Sequence, residues 1–167
     1  MDALRRLIPA AYAVAIVFLL SPLVDVVTNV YPFELGSVQW RYGAVGIMSN
    51  YLISGVFGLL LGTFAAVLGG HAKVLWVFFA LNLALAVALV ALLGLFALDV
   101  LQLRSMVRPE AADMFGIGAG KAALKLLLVA ASLGLLGVVG FKAARGETAA
   151  RRDRKDRKDS PILVREG

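Results

Sequence analysis

His71 is the only histidine of this 167-residue chain, and the chain contains no cysteine. The missing cysteines exclude disulfides, iron–sulfur clusters and thiolate nucleophiles within the chain. A single histidine excludes bis-histidine ligation of haem by one chain, and no neighbouring carboxylate joins His71 to form a zinc site. We therefore assign no metal-binding or cofactor-binding residue, and we interpret His71 as a turn residue at the membrane interface.

The sequence also lacks the usual motifs of catalysis. It has no serine–histidine pair of the hydrolase type and no nucleophile elbow. The segment from Gly116 to Lys121 superficially resembles a phosphate-binding loop, but the spacing to a Lys-Ser/Thr pair is missing and no predicted strand precedes it. We assign no catalytic residue and expect a protein that is not an enzyme.

Two amides, Asn50 and Asn82, lie inside long apolar runs. Amides in a membrane interior usually form hydrogen bonds to a neighbouring helix, and we predict this structural role first. The alternative is a polar pocket or an ion path. An ion-coupled transporter normally needs an acidic residue at mid-membrane depth, and none is found there.

Two carboxylates lie near the outer ends of apolar runs, Asp25 at the end of the first and Asp99 at the end of the third. Both are expected near one membrane interface, where we predict a set of structural ion pairs. A ligand site, or a membrane-embedded enzyme that acts on lipid, is the alternative use of this cluster. The basic residues expected on the same side are Arg104, Lys121 and Lys125.

The segment 28–43 is rich in aromatic and polar residues, as loops at a membrane interface often are. We predict that this segment is an external loop. Within it, Trp40, Arg41 and Tyr42 are the residues that we expect to contact a protein partner.

These residues must be positioned by four apolar segments. Hydrophobic residues make up 60% of the chain and charged residues only 17%. Each apolar run reaches the length of about 20 residues that a membrane-spanning helix needs. We predict an all-α, integral membrane four-helix bundle with antiparallel neighbours, formed by residues 1–142, with spans at about 7–27, 44–68, 74–98 and 120–141.

Small residues recur at four-residue spacing in the second span, where they allow close helix packing. This ridge consists of Gly58, Gly62, Ala66 and Gly70. We predict that it packs along the third span, which carries alanines at the same spacing. A homodimer interface is the alternative use of the ridge.

Basic residues indicate the topology, because positive charge is enriched on the cytoplasmic side. They precede the first span, occur in the short turn before the third span and are frequent in the segment 143–167. We predict that both termini are cytoplasmic, with 143–167 as a basic tail that is mobile or partly helical in water. The net charge of +6 is attributed to topology and to contact with anionic lipid, and no nucleic acid partner is expected.

Two interruptions carry further predictions. Pro22 is expected to kink or end the first helix. The mixed segment between Asp99 and Gly118 is expected to be a short amphipathic segment that lies on the membrane surface and is broken at Pro109.

The stretches 31–42 (YPFELGSVQWRY) and 53–62 (ISGVFGLLLG) resemble the first external loop and second span of HpsJ-like bacterial membrane proteins. That family is associated with polysaccharide secretion in cyanobacteria, and Trp40-Arg41 matches its characteristic pair. The resemblance covers about 35 residues, and it implies an envelope-associated accessory membrane protein.

Taken together, these patterns lead us to expect a multi-pass, non-enzymatic accessory or scaffold subunit in a bacterial inner membrane. Its partners would be membrane lipids and either another protein or further copies of the chain. The alternative is a small transporter or channel subunit that acts as an oligomer, with Asn50 and Asn82 lining the path.

Overall fold

A computed structural model describes residues 6–159, and this part of the chain is all-α. Helix α1 spans Ile8–Val30, α2 spans Val38–Gly69, α3 spans Ala72–Arg104 and α4 spans Ala112–Asp159. A short 3-10 turn, Pro109–Ala111, precedes α4. Each long helix contains a segment apolar and long enough to cross a membrane, as expected for a multi-pass membrane protein.

The helix ends are set by local capping. The Trp40 backbone N–H donates to Ser37 Oγ at 3.3 Å, which starts α2 at Val38. At its other end, Gly70 adopts a left-handed φ of 63°, and the His71 N–H donates to Ala66 O at 3.0 Å. The connection between α2 and α3 is therefore as short as predicted.

The packing is uneven, because α1 lies at the edge of the bundle. Helices α3 and α4 form the most extensive contact, α2 packs on both of them, and α1 packs mainly on α2. The central core includes the fully buried Leu59, Phe96 and Leu126 from these three inner helices. A second cluster joins Ala66, Leu75 and Ala144 near the α2–α3 turn.

The prediction that the small-residue ridge packs along α3 is only partly correct. A side chain at Gly58 would collide with Ala15 and Leu19 of α1, whereas one at Gly62 would collide with the Phe78 ring of α3. Ala66 is buried against both α3 and α4, and a side chain at Gly70 would face Glu147 of α4. The ridge thus packs against three helices, α1, α3 and α4. Because Gly58 and Gly62 are buried, the ridge is not available to a second copy of the chain.

The helices extend beyond several predicted boundaries. Helix α1 does not end at Pro22 but continues to Val30. The mixed segment between Asp99 and Gly118 is interrupted near Pro109, because α3 ends at Arg104 and the 3-10 turn precedes α4. The segment predicted as loop 28–43 is reduced to residues 31–37. These helices extend past their apolar runs because backbone hydrogen bonding does not stop where hydrophobicity does.

The predicted boundary between bundle and tail at residue 143 also changes. Helix α4 continues to Asp159, and Ala144 is fully buried, so the bundle includes the beginning of the basic segment. The end of the predicted tail, residues 160–167, lies outside the described residues.

Candidate functional site

The structure places Trp40, Arg41 and Tyr42 near the start of α2, not in a loop. Successive residues of a helix point about 100° apart, so the three side chains leave in different directions. Each one contacts a different part of the protein, and together they connect all the elements at this end of the molecule. We call this end of the molecule the Arg41 end. The opposite end, which contains the α2–α3 turn, is called the His71 end.

Arg41 forms an ion pair with Asp99 of α3. Its Nε and Nη2 donate to the two carboxylate oxygens of Asp99 at 3.0 and 2.6 Å. A further donor, Nη1, reaches the Leu35 carbonyl at 2.8 Å. The guanidinium group therefore joins the end of α3, the start of α2 and the loop between α1 and α2, in the paired geometry that favours arginine over lysine.

Asp99 is only 6% exposed, so its charge lies largely out of contact with solvent. A buried carboxylate without a partner is strongly unfavourable, and the arginine supplies the compensating charge. The prediction that Asp99 belongs to a structural ion pair is thus correct, but the expected lysines and Arg104 are not its partners. Asp25 stays outside this contact and accepts a hydrogen bond from Ser21 at 3.4 Å.

Trp40 holds the loop to the bundle. Its indole Nε1 donates to the Val30 carbonyl at 3.2 Å, at the last residue of α1. The Phe33 ring meets Trp40 edge-on at 6.1 Å between centroids, and Tyr31 meets Phe33 in the same way at 6.0 Å. The loop is therefore organised by an aromatic chain and by the Arg41–Leu35 hydrogen bond.

The organised loop presents apolar side chains outward. Tyr31, Phe33 and Leu35 are 72%, 55% and 69% exposed, even though they are large and apolar. A groove of about 680 Å³ lies beside them, between the end of α1, the start of α2 and the end of α3. Apolar side chains dominate its walls, and Arg41 and Asp99 also line it. We call Tyr31, Phe33 and Leu35 the exposed loop surface.

Tyr42 contacts both α3 and α4. Its ring stacks on Phe96 at 5.5 Å and on Phe115 at 4.9 Å, and its hydroxyl donates to the Phe115 carbonyl at 3.3 Å. This contact ties the start of α4 to the start of α2. Tyr42 thus supports the bundle, whereas the exposed loop surface is the part available for contact.

The two intramembrane amides have different environments. Asn50 accepts a short hydrogen bond from Lys125 Nζ on α4, so it does connect two helices. Asn82 is fully buried, but its amide nitrogen donates to Phe78 O of its own helix at 2.7 Å. Its Oδ1 has no hydrogen-bond partner. The expected bond from Asn82 to a neighbouring helix is absent among the described contacts.

The sequence indicated no partner for His71, but the structure shows one. Tyr12 of α1 forms a hydrogen bond of 2.9 Å with His71 Nδ1, and the two rings stack with 6.0 Å between centroids. This contact fixes the start of α1 to the α2–α3 turn. Sequence reasoning missed Tyr12, since nothing in the sequence indicates which turn lies beside it. Within residues 6–159, no group of three potential metal ligands comes together.

Comparison of the chain with protein-family models, with curated proteins and with solved structures found no match.

Proposed function

We propose that this chain is a non-enzymatic accessory or scaffold subunit of a bacterial inner-membrane assembly. Its consecutive helices run antiparallel, and both termini face the cytoplasm, as the positive residues favour. The loop between α1 and α2 then lies on the external side, where it binds a protein partner. The resemblance of the same loop to HpsJ-like proteins supports an envelope-associated role.

One observation carries this proposal: three large apolar side chains are exposed on a loop that is held in place. Tyr31, Phe33 and Leu35 project outward, while Trp40 and Arg41 fix the backbone that carries them. A fixed loop loses little conformational entropy on binding, which favours a protein contact. Aromatic and arginine residues are also the types that dominate interface energetics.

The adjoining groove extends this surface. It continues from Phe33 and Leu35 along α3 toward Leu92, and its walls are mostly apolar. A partner that covers the loop can therefore insert a side chain or a helix edge beside it. Membrane lipid occupies the same surface when no partner is bound.

The proposal is tested by co-purification of the tagged full-length chain in a mild detergent. Replacing Phe33→Ser together with Leu35→Ser is expected to reduce the bound partner by about tenfold or more, because loss of an interface anchor typically costs more than about 1 kcal/mol. Trp40→Ala with Arg41→Ala, which removes the support of the loop, is expected to reduce it as well.

A matched control is available at the same end of the bundle. Met114 is 81% exposed and follows the 3-10 turn, so Met114→Ser removes a comparable apolar side chain outside the loop. This control is expected to keep the partner. If both loop variants retained every co-purifying protein, the proposed function would be wrong.

A second candidate is a small transporter or channel subunit that works as an oligomer. The observation in its favour is the unpartnered Oδ1 of Asn82, a polar atom in the middle of the bundle. Flux into proteoliposomes that is abolished by Asn82→Leu would support this alternative.

A further inference from the structure

Lys125 and Asn50 form a polar pair deep in the membrane-spanning part of the chain. The contact of Tyr42 with Phe115 marks a common level near the Arg41 end. At about 1.5 Å per helical residue, Asn50 lies about 14 Å beyond Arg41 along α2, and Lys125 lies about 15 Å beyond Phe115 along α4. In a hydrocarbon layer of about 30 Å, the pair is well inside the membrane.

The pair leaves the lysine charge uncompensated. An ammonium group has three donors, and the only partner that the structure gives Lys125 is the neutral amide oxygen of Asn50. Within the part of the chain that the structure describes, no carboxylate is paired with Lys125. A charged side chain inside a membrane is costly and marks a functional site unless it is paired.

The pair also lies at the surface of the bundle, and not in its core. Asn50 is exposed and Lys125 is half-buried. Toward the Arg41 end, the same face of α2 carries Gly46, whose carbonyl accepts a hydrogen bond from Asn50, and Gly43. Side chains added at either glycine would meet no atom within 4 Å. A neighbouring helix can therefore approach closely at this position.

We infer that Lys125 and Asn50 form a docking site for a membrane-spanning helix of another protein that carries an aspartate or glutamate at the same depth. Charge complementarity identifies this partner, because a carboxylate at that depth supplies the negative charge that the neutral amide of Asn50 lacks. The inference rests on the proposed role as a subunit of a membrane assembly, and it adds the chemistry of one partner. The docking face lies on the α2–α4 side, and at Gly43 it adjoins a groove that Tyr31 also lines.

The test uses the full-length chain in vesicles of phosphatidylcholine, which has no net charge. Because the chain has no cysteine, Ser105→Cys provides a single site for a fluorescent donor outside the docking face. The probes are synthetic leucine–alanine membrane-spanning peptides with an acceptor dye and either Asp, Asn or Leu at their centre. Energy transfer measures the dissociation constant in the membrane.

The Asp peptide is expected to bind at least about tenfold more tightly than the Leu peptide, with the Asn peptide in between. Lys125→Met should remove this preference, whereas Lys125→Arg, which keeps the charge, should retain it. Lys121→Met is the matched control, since Lys121 lies one turn away on the same helix and has no contact with Asn50. It should leave binding unchanged.

An Asp peptide that binds no more tightly than the Leu peptide, or that binds equally to the Lys125→Met variant, would overturn the inference. The same series in vesicles that contain phosphatidylglycerol tests a lipid headgroup as the occupant. Lys125-dependent enrichment of that lipid, without any preference for the Asp peptide, would also overturn it. The loop variants leave Lys125 intact. If they retained every co-purifying protein, the proposed function would be wrong, but the peptide-binding result at Lys125 would still hold.

Discussion

Arg41 and Asp99 meet through two hydrogen bonds of 3.0 and 2.6 Å, which join the start of α2 to the end of α3 across 58 positions of sequence. The same guanidinium group also binds the Leu35 carbonyl in the loop. One side chain therefore fixes both the packing of two helices and the shape of the exposed loop surface. Stability and contact with a partner are coupled at this residue.

The two members of this ion pair are expected to respond differently to substitution. Arg41→Gln leaves the Asp99 carboxylate buried without a charge partner, whereas Asp99→Asn leaves an arginine that still binds Leu35 O. Arg41→Gln should therefore lower the melting temperature in detergent more, by several degrees. The double variant should be more stable than Arg41→Gln alone. Equal and additive losses would show that the two groups do not interact.

Gly62 should tolerate no large side chain, because a Cβ there collides with the Phe78 ring. Gly62→Leu is expected to destabilise the monomer by about 1–3 kcal/mol, the usual cost of overpacking. Gly94→Leu is the matched control, since a side chain at Gly94 meets no atom within 4 Å. Reversible unfolding of the monomer in mixed micelles measures both variants. A Gly62→Leu chain of unchanged stability would contradict this packing.

Tyr12→Phe keeps the ring stacked on His71 but removes its hydrogen bond. The expected loss is about 0.6 kcal/mol, the average for side-chain hydrogen bonds between membrane helices. Because α1 packs mainly on α2, limited proteolysis should show faster cleavage near the start of α1. Tyr31→Phe, at an exposed tyrosine of the loop, should leave the rate unchanged. Identical rates for both variants would exclude the proposed role of Tyr12.

Asn82→Leu replaces a buried amide whose Oδ1 has no partner by an apolar side chain of similar size. Leaving a polar atom unpaired is unfavourable, so this change should leave stability unaltered or raise it by up to about 1 kcal/mol. Thermal unfolding of the detergent-solubilised chain tests this. A clear loss of stability would show that the amide oxygen has a partner, such as a bound water.

The four spans could be predicted from the sequence because an apolar run of sufficient length has few alternatives in a membrane. The rotation of each helix could not, since these helices are apolar on all sides and no amphipathic face indicates which side is buried. The partners of Asp99 and Lys125 illustrate this limit. Both were expected in one cluster, yet Asp99 pairs with Arg41, and Lys125 with Asn50.

The exposed loop surface shows a related limit. Composition singled out the segment that contains Trp40, Arg41 and Tyr42 as a contact surface, but these three side chains support the structure. The outward-facing residues are Tyr31, Phe33 and Leu35. Which aromatic side chains turn inward depends on carbonyl groups and rings that are distant in sequence, so the sequence alone does not distinguish the two groups.

The proposed function requires that the loop around Phe33 contacts a protein partner. Site-specific photo-crosslinking in intact cells tests this directly, with p-benzoylphenylalanine at position 33 and, as a control, at position 114. We predict one discrete adduct with another protein from position 33, none from position 114, and a weaker adduct when Arg41→Gln is added. Adducts with lipid alone at position 33, or the same protein adducts from both positions, would contradict the account.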